Sequence, residues 1–405
     1  MSGVLERFLR YAGMDTTSDE SSPTSPTTAC QWDLLRLLEA ELAGMGMEKV
    51  YLGDHGVLYA RLPGEAGKPV LGLVAHVDTS AEAPGAGVRP ILHGKWDGSP
   101  IHLRDGVVID PANTADMARY EGGTIVTSDG TTLLGADDKA GVAIIMELCR
   151  IMISDGSLPR PSISVAFTPD EEAGRGVEHF EVGRFGADFA YTVDGSALGV
   201  IESQTFNAVS ADWLITGRQV HPGSARGIMT NALRIACEIV SSLRPEEMPE
   251  NSEGLQGYDY PMAISGTASE ARLRMILRDF RPEGMASRRR RLEALREFFA
   301  SSYPSAGVGL EFREQYSNPA EILNRDRRLV EYALEGARRA GLEPTEGSIR
   351  GGTDGSRLSF MGVPCVNLPT GGEMFHSKGE WIAEEGLELA LRCLIETVGV
   401  WKTRA

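Results

Sequence analysis

The 405-residue chain has no apolar run of bilayer-spanning length, no Cys-x-x-Cys pair and no excess of basic residues. A membrane helix needs roughly 20 predominantly apolar residues, so the first absence leaves no candidate span and no membrane partner. The five cysteines, Cys30, Cys149, Cys237, Cys365 and Cys393, are an odd number scattered in apolar surroundings. They read as buried reduced thiols, none of them a convincing nucleophile. Acids outnumber bases 57 to 40, for a formal charge of −17. That balance argues for solubility and against a nucleic-acid partner. Met1 to Asp15 sets Leu5, Phe8 and Leu9 at helical spacing among charges. This is an amphipathic helix rather than a secretory apolar segment, and the expected location is cytoplasmic.

The length exceeds what one hydrophobic core usually serves, so two domains are expected. Ser18 to Thr28, rich in Ser, Thr and Pro, reads as an exposed loop, and helix resumes at Gln31 with Leu34, Leu35, Leu38, Leu42 and Met45 inward. Strand-like Val57 to Leu62 and Val70 to Val77 follow, giving the helix–strand alternation of an α/β fold with a mainly parallel sheet. Ala81 to Gly130 is a long Gly- and Pro-rich stretch, placed near the substrate, whose His93 and His102 read as surface or core residues without metal. From Asn207 the texture changes. Strands at Ala211 to Thr216, Met262 to Gly266, Leu273 to Leu277 and Val308 to Phe312, with helices at Ile228 to Leu243 and Met285 to Tyr303, spell a ferredoxin-like βαββαβ unit. The expected division is residues 1–206 and 318–405 for one domain and 207–317 for the inserted one. Within the insert, the run Arg288 to Arg291 reads as a solvated helix face.

The chemistry-bearing residues gather where apolar runs stop. In Thr132 to Gly141, Asp137 and Asp138 sit between a glycine turn and an apolar helix from about Lys139 to Ile153, where either one could simply cap the helix. The strand Val70 to Val77 ends in His76-Val77-Asp78, a spacing that lets a carboxylate orient an imidazole. Ser162 to Thr168 breaks at Pro169 into Asp170-Glu171-Glu172, three acids that repel unless solvated or neutralised by a cation. Asp194 closes Phe189 to Val193, and His376 follows Thr370-Gly371-Gly372. Open α/β sheets place ligand sites at such strand ends. Two histidines with several carboxylates suit two zinc-like ions sharing a bridging carboxylate, ~3.5 to 4 Å apart.

These segments, together with Phe8-Leu9-Arg10-Tyr11, Leu134 to Gly141, Phe167-Thr168-Pro169, Tyr191 to Gly195 and Ile349 to Gly355, resemble the co-catalytic zinc exopeptidases, and among them the tripeptide aminopeptidases. The likeness runs nearly the whole length. It implies a zinc-exopeptidase-like mixed sheet flanked by helices, with the inserted ferredoxin-like unit serving as lid and dimerisation domain of a homodimer. By that resemblance His76 and Asp194 bind one Zn2+, Glu172 and His376 the other, and Asp137 bridges them. Cobalt or manganese would be substitutes. Glu171 is the implied general base, Asp78 the residue orienting His76, and His221 a donor to the scissile carbonyl. Arg278 and Arg350 match positions that grip the peptide carboxylate, although Arg278 reads equally as a structural ion-pair partner. Near His376, Glu373-Met374-Phe375 replaces a more tyrosine- and asparagine-rich approach.

The residues fit that chemistry on their own terms. Water between two divalent ions ionises near neutral pH, and a carboxylate such as Glu171 can carry its proton to a leaving amine. The activity that the resemblance implies is release of the N-terminal residue from tripeptides. A dipeptidase or an N-acyl amino acid deacylase with the same metals is the alternative. A non-catalytic metal- or peptide-binding protein is disfavoured by the intact Glu171.

Overall fold

The computed structural model describes residues 2–114, 116–156 and 160–404. The chain divides into two compact units, one comprising Met1–Ser203, Pro319–Gly347 and Thr353–Ala405, the other Gln204–Asn318 and Ser348–Gly352.

In the first unit, α1 (Gly3–Ala12) buries Val4, Leu5, Phe8 and Tyr11, and α2 (Gln31–Met45) buries Leu34, Leu35, Leu38 and Leu42. The stretch between them is less exposed than expected. Ser18 and Thr27 are buried, because Thr27 donates both its N–H and its hydroxyl to the buried Asp170, at 2.7 and 2.6 Å. Strands β1 (Glu48–Leu52), β2 (Leu58–Leu62) and β3 (Leu71–His76) follow, then the short β4 (Ile91–Gly94), β5 (Ile101–His102), β6 (Val108–Ile109) and β7 (Thr124–Thr127). Helix α3 (Ala136–Ser154) leads to β8 (Ile163–Thr168), α4 (Val182–Phe185), β9 (Phe189–Gly195) and β10 (Val200–Thr205).

The second unit contains β11 (Asn207–Thr216), α5 (Ala232–Ser241), β12 (Tyr258–Gly266), β13 (Glu270–Asp279), α6 (Pro282–Ser302) and β14 (Gly307–Tyr316). The chain then gives α7 (Ala320–Leu323), α8 (Arg328–Arg339), β15 (Thr345–Ile349), α9 (Asp354–Phe360), β16 (Cys365–Pro369), β17 (Gly372–Glu373), β18 (Trp381–Ala383) and α10 (Glu384–Arg404).

Eight strands form one mixed sheet in the order β1-β2-β8-β3-β9-β16-β10-β15. Its centre is parallel: β3 pairs in parallel with both β8 and β9, and β9 with β16. Antiparallel pairs flank it, β2 with β8 and β10 with β16. Every residue of β3 and β8 is buried, as parallel strands covered on both faces require. The period-2 alternation sorts them. Leu71, Leu73 and Ala75 pack with Ile163, Val165, Phe167 and the helices α1, α2, α3, α8 and α10, whereas Val74, Ala166 and Ala190 pack with Phe185, Leu358 and Val363 on the other face. Helix α3 lies so close to β9 that a Cβ on Gly141 would stand 1.8 Å from the Val193 carbonyl oxygen, so only glycine fits. A smaller sheet, β17-β18-β7-β4, takes up part of the Ala81 to Gly130 stretch, and in it His93 Nε2 lies 2.9 Å from Thr127 Oγ1.

In the second unit the sheet order is β12-β13-β11-β14, antiparallel throughout, the ferredoxin-like arrangement read from the sequence. Val209, Ala211, Trp213 and Ile215 alternate inward with Leu273, Met275 and Leu277 under α5 and α6. Helix α5 starts at Ala232, later than its apolar spacing suggests, because the Asn231 side chain accepts the Arg234 N–H and fixes the first turn there.

Two further expectations are corrected. The Arg288 to Arg291 run is a solvated face only at Arg290: Arg288 is buried and donates to Asp279, Asp259 and Glu247, and Arg291 joins Glu247 and Asp259. Helical spacing places the run on the helix, but the acids come from β12, β13 and the turn at Glu247, which the pattern of the run does not record. Of the cysteines, Cys149, Cys365 and Cys393 are buried, whereas Cys237 is exposed and Cys30 half-buried; all are free. No helix among the described residues is long and apolar enough to cross a membrane.

Candidate metal centre

Because β3, β8, β9 and β16 run parallel, their C-terminal ends lie on one side of the sheet. His76 ends β3, Glu171 and Glu172 follow β8, Asp194 lies near the end of β9, and His376 follows β16. The start of α3 brings Asp137 to the same place.

Asp137 is the meeting point. Its Oδ1 lies 2.9 Å from His76 Nε2, and its Oδ2 lies 3.3 Å from His376 Nε2. His76 Nε2 is also 3.5 Å from Asp194 Oδ1, and His376 Nε2 is 3.0 Å from Glu172 Oε2. Two candidate ligand groups result, His76–Asp137–Asp194 and Asp137–Glu172–His376, each with its donor atoms within 4.8 Å of one another. They share one carboxylate that presents a different oxygen to each.

The outer contacts fix this arrangement. His76 Nδ1 is 3.0 Å from the Asp78 carbonyl oxygen and 3.3 Å from Asp78 Oδ1, acceptors that hold the proton on Nδ1 and turn Nε2 toward Asp137. The Asp78 carboxylate also accepts the Glu171 and Glu172 N–H groups. Asp194 N–H donates to Asn367 Oδ1 at 3.2 Å, and Asn367 donates in turn to Glu202.

Adjacent acids are assigned different work. Asp138 Oδ1 accepts the Gly141 N–H and Oδ2 the His76 N–H, so Asp138 takes the helix-start role that either aspartate could have filled. Asp170, the first of the three crowded acids, is fully buried and turned away. Its φ of 58° aims the carboxylate at Thr27, Ser25 and Gln31.

The electrostatics call for a cation. Burial alone would lower the His76 imidazole, but Asp194, Asp137 and Asp78 outweigh it and hold it well above its ordinary value. Hydrogen bonds to Asp137 and Glu172 lift His376 to about 11. Burial opposes ionisation of Asp137, yet His376 and His76 keep it below the usual carboxylate range. Burial pushes Glu172 and Asp194 up to about 7 each. Burial also pushes Glu171 well above its ordinary value against the pull of His76, with Asp354, Asp194 and Glu172 adding to it. The acids thus favour positive charge on both imidazoles. Glu172 Oε1 is moreover buried with no hydrogen-bond partner among the described residues, a lone pair aimed at nothing in the protein. Imidazole nitrogens, carboxylate oxygens and an orphaned acceptor together fit divalent metal ions.

The sequence profile of Peptidase family M20/M25/M40 matches residues 127–399, a span holding Asp137, Glu171, Glu172, Asp194 and His376. The chain belongs to the M20/M25/M40 peptidase family. It is 42% identical over 406 residues to the peptidase T of Geobacillus kaustophilus (strain HTA426), covering 99% of each chain, so the likeness takes in His76 and Asp78 as well. Its fold is similar to that of a tripeptidase from Staphylococcus aureus, with a TM-score of 0.79 at 22% identity over 99% of this chain and 98% of that one. It is also similar to that of the aminopeptidase PepT from Bacillus cereus, with a TM-score of 0.76 at 21% identity over 98% of each.

Three residues singled out in the sequence lie in the second unit of this M20/M25/M40 peptidase. His221 is exposed, with Nδ1 accepting the Gly223 N–H at 3.1 Å. Arg278 donates to Gln315 Oε1 at 2.9 Å and lies over the Tyr316 ring, contacts that replace the acidic partner weighed for it. Arg350 donates to the carbonyl oxygens of Ser252, Gly254 and Gln256 and lies over Phe206 and Tyr258. Sequence reasoning missed Glu380 and Glu82. Glu82 Oε2 is 3.2 Å from His376 Nδ1, and Glu380 is buried against the Asp137 loop. The one sequence signal for Glu380 is an acid set directly before the apolar Trp381-Ile382-Ala383.

Proposed function

We propose that this chain is a metal-dependent aminopeptidase that releases the N-terminal residue of tripeptides. The observation that carries the reading is Asp137, whose two oxygens face His76 and His376 separately. The name peptidase T of the Geobacillus relative, identical at 42% of positions over 99% of both chains, supports the peptidase reading, and the tripeptidase named for the Staphylococcus structure supports the substrate class.

The residues would hold two divalent ions, with His76 and Asp194 on one, Glu172 and His376 on the other, and Asp137 between. The nitrogen and oxygen donor set favours zinc. Bound there, such ions supply Lewis acidity that eases ionisation of a water and draws charge from a carbonyl oxygen. Glu171, which is not among the ligand atoms of either group, takes the proton of the attacking water and passes it to the leaving amine. Asp78 orients His76 and, through the backbone, Glu171. The Gly223 N–H occupies His221 Nδ1, which leaves Nε2–H as a donor for the developing oxyanion. Arg278 is assigned to the peptide carboxylate, and Arg350, already engaged by Ser252 to Gln256, to holding that loop along with any grip it adds. A homodimer is proposed through the second unit, whose edge strand β12 exposes Tyr260, Met262 and Ile264. The buried free thiols suit the reducing cytoplasm.

The test is hydrolysis of one free tripeptide, its N-acetylated form and the matching dipeptide in the presence of zinc or cobalt, with Glu171→Gln as control. Cleavage confined to the free tripeptide, and reduced ~10²- to 10⁴-fold in the variant at unchanged metal content, is the expected result. Preference for the acetylated peptide or the dipeptide would move the assignment to a deacylase or dipeptidase.

A further inference from the structure

Asp137 can serve two imidazoles only if it is not needed at the helix start. The first N–H groups of any helix lack intrahelical acceptors, and a neighbouring aspartate usually supplies one. Here Asp138 supplies one to the Gly141 N–H, and an acid distant in sequence takes the N–H groups ahead of it. Glu380 Oε2 accepts the Leu134 and Gly135 N–H groups at 2.7 and 2.8 Å, and its Oε1 accepts the Asp137 N–H at 3.0 Å. The side chain is 1% exposed. It directly precedes β18, which is paired on both sides, with β17 and β7, and it shares with His376 the short segment after β17. One carboxylate therefore ties the backbone of the shared ligand Asp137 to the segment that carries the second imidazole.

We propose that Glu380 is a positioning residue for the metal centre, setting the placement of Asp137 relative to His376. The inference rests on the metal reading above. A carboxylate suits the task because all three groups facing it are donors. An amide in its place keeps an oxygen toward Leu134 and Gly135 and turns its NH2 against the Asp137 N–H, which releases the bridging residue alone.

The experiment is zinc competition against a chromophoric chelator, run beside thermal unfolding of the metal-free protein, for the parent, Glu380→Gln and Glu380→Asp. The expected result is a ~10- to 100-fold loss of zinc affinity in Glu380→Gln, the range typical of residues that orient ligands, with a small change in the metal-free melting temperature. Glu380→Asp keeps the charge but is shorter by one methylene, and should lose affinity too. Zinc affinity within about twofold of the parent in either folded variant would overturn the proposal, and a lowered melting temperature beside it would leave Glu380 a purely structural role. A parent that binds no zinc would instead overturn the metal reading on which the proposal stands.

Discussion

The Asp78 carboxylate accepts the Glu171 backbone N–H at 2.9 Å, and its second oxygen accepts that of Glu172 at 3.1 Å. Since Asp78 Oδ1 is also 3.3 Å from His76 Nδ1, one fully buried side chain couples the ends of β3 and β8 and orients the imidazole between them. Asp78→Asn retains one acceptor oxygen but sets an NH2 against a donor. Its activity should fall ~10- to 100-fold at saturating metal. Asp78→Ala, which leaves buried N–H groups unpaired at ~1–3 kcal/mol each, should also lower the melting temperature by several degrees. Steady-state kinetics beside thermal melts separate the two effects, and an Asn variant with parental kcat/KM would remove the orienting role.

Chelation should destabilise the first unit. Asp137, Glu172 and Asp194 converge with the imidazoles of His76 and His376, so a bound ion relieves repulsion among the acids that the unfolded chain does not feel. At free metal 100 to 1,000 times Kd the stabilisation is ~3–4 kcal/mol. Calorimetric scans with and without chelator should show a melting temperature that drops on removal and returns on adding zinc. Identical scans would argue against both sites.

Arg288 and Arg290 lie two positions apart on α6 and should behave oppositely. Arg288 is buried among Asp259, Asp279 and Glu247, and although Arg291 still reaches Asp259 and Glu247, Arg288→Ala leaves the buried Asp279 without its guanidinium and should cost ~3–5 kcal/mol in the second unit. Arg290 is exposed, and Arg290→Ala should stay within about 0.5 kcal/mol. Denaturant titration of both variants checks the contrast; equal effects would return the run to a solvated face.

Burial pushes the Glu202 carboxyl up to about 7, against a hydrogen bond from Asn367 Nδ2 that favours the charged form. The unfolded chain, with an ordinary glutamate pKa of about 4.3, ionises first as pH rises. The stability contribution is therefore full below about 4.3, declines through the window up to about 7, and is flat above it. Glu202→Gln preserves the acceptor for Asn367 and removes the titration. The variant should match the parent near pH 4 and exceed it by ~1–3 kcal/mol at pH 8. Unfolding measured across that range reads the difference, and a constant offset would show that Glu202 does not titrate in the window.

The sequence by itself determined the elements and where the site had to be. Alternation in Ile163 to Phe167 and the unbroken apolar run before His76 are local patterns, and the strand assignment and the need for burial follow from them wherever the strand ends up. The candidate ligand positions were legible for the same reason: a histidine or acid that stops an apolar run lies at a strand end, whatever its neighbours. Only the tertiary structure decided which member of each acid cluster does what. Asp137 and Asp138 are chemically alike, as are Asp170 and its neighbours, and adjacent backbone positions aim them in different directions at partners far along the chain. Asp170 answers to Thr27 and Gln31, Asp138 to the His76 N–H, and the Asp137 loop to Glu380. No local pattern records such pairings, because each is made by chain segments that meet only after the sheet has assembled, and the burial of Arg288 against Asp259 has the same origin.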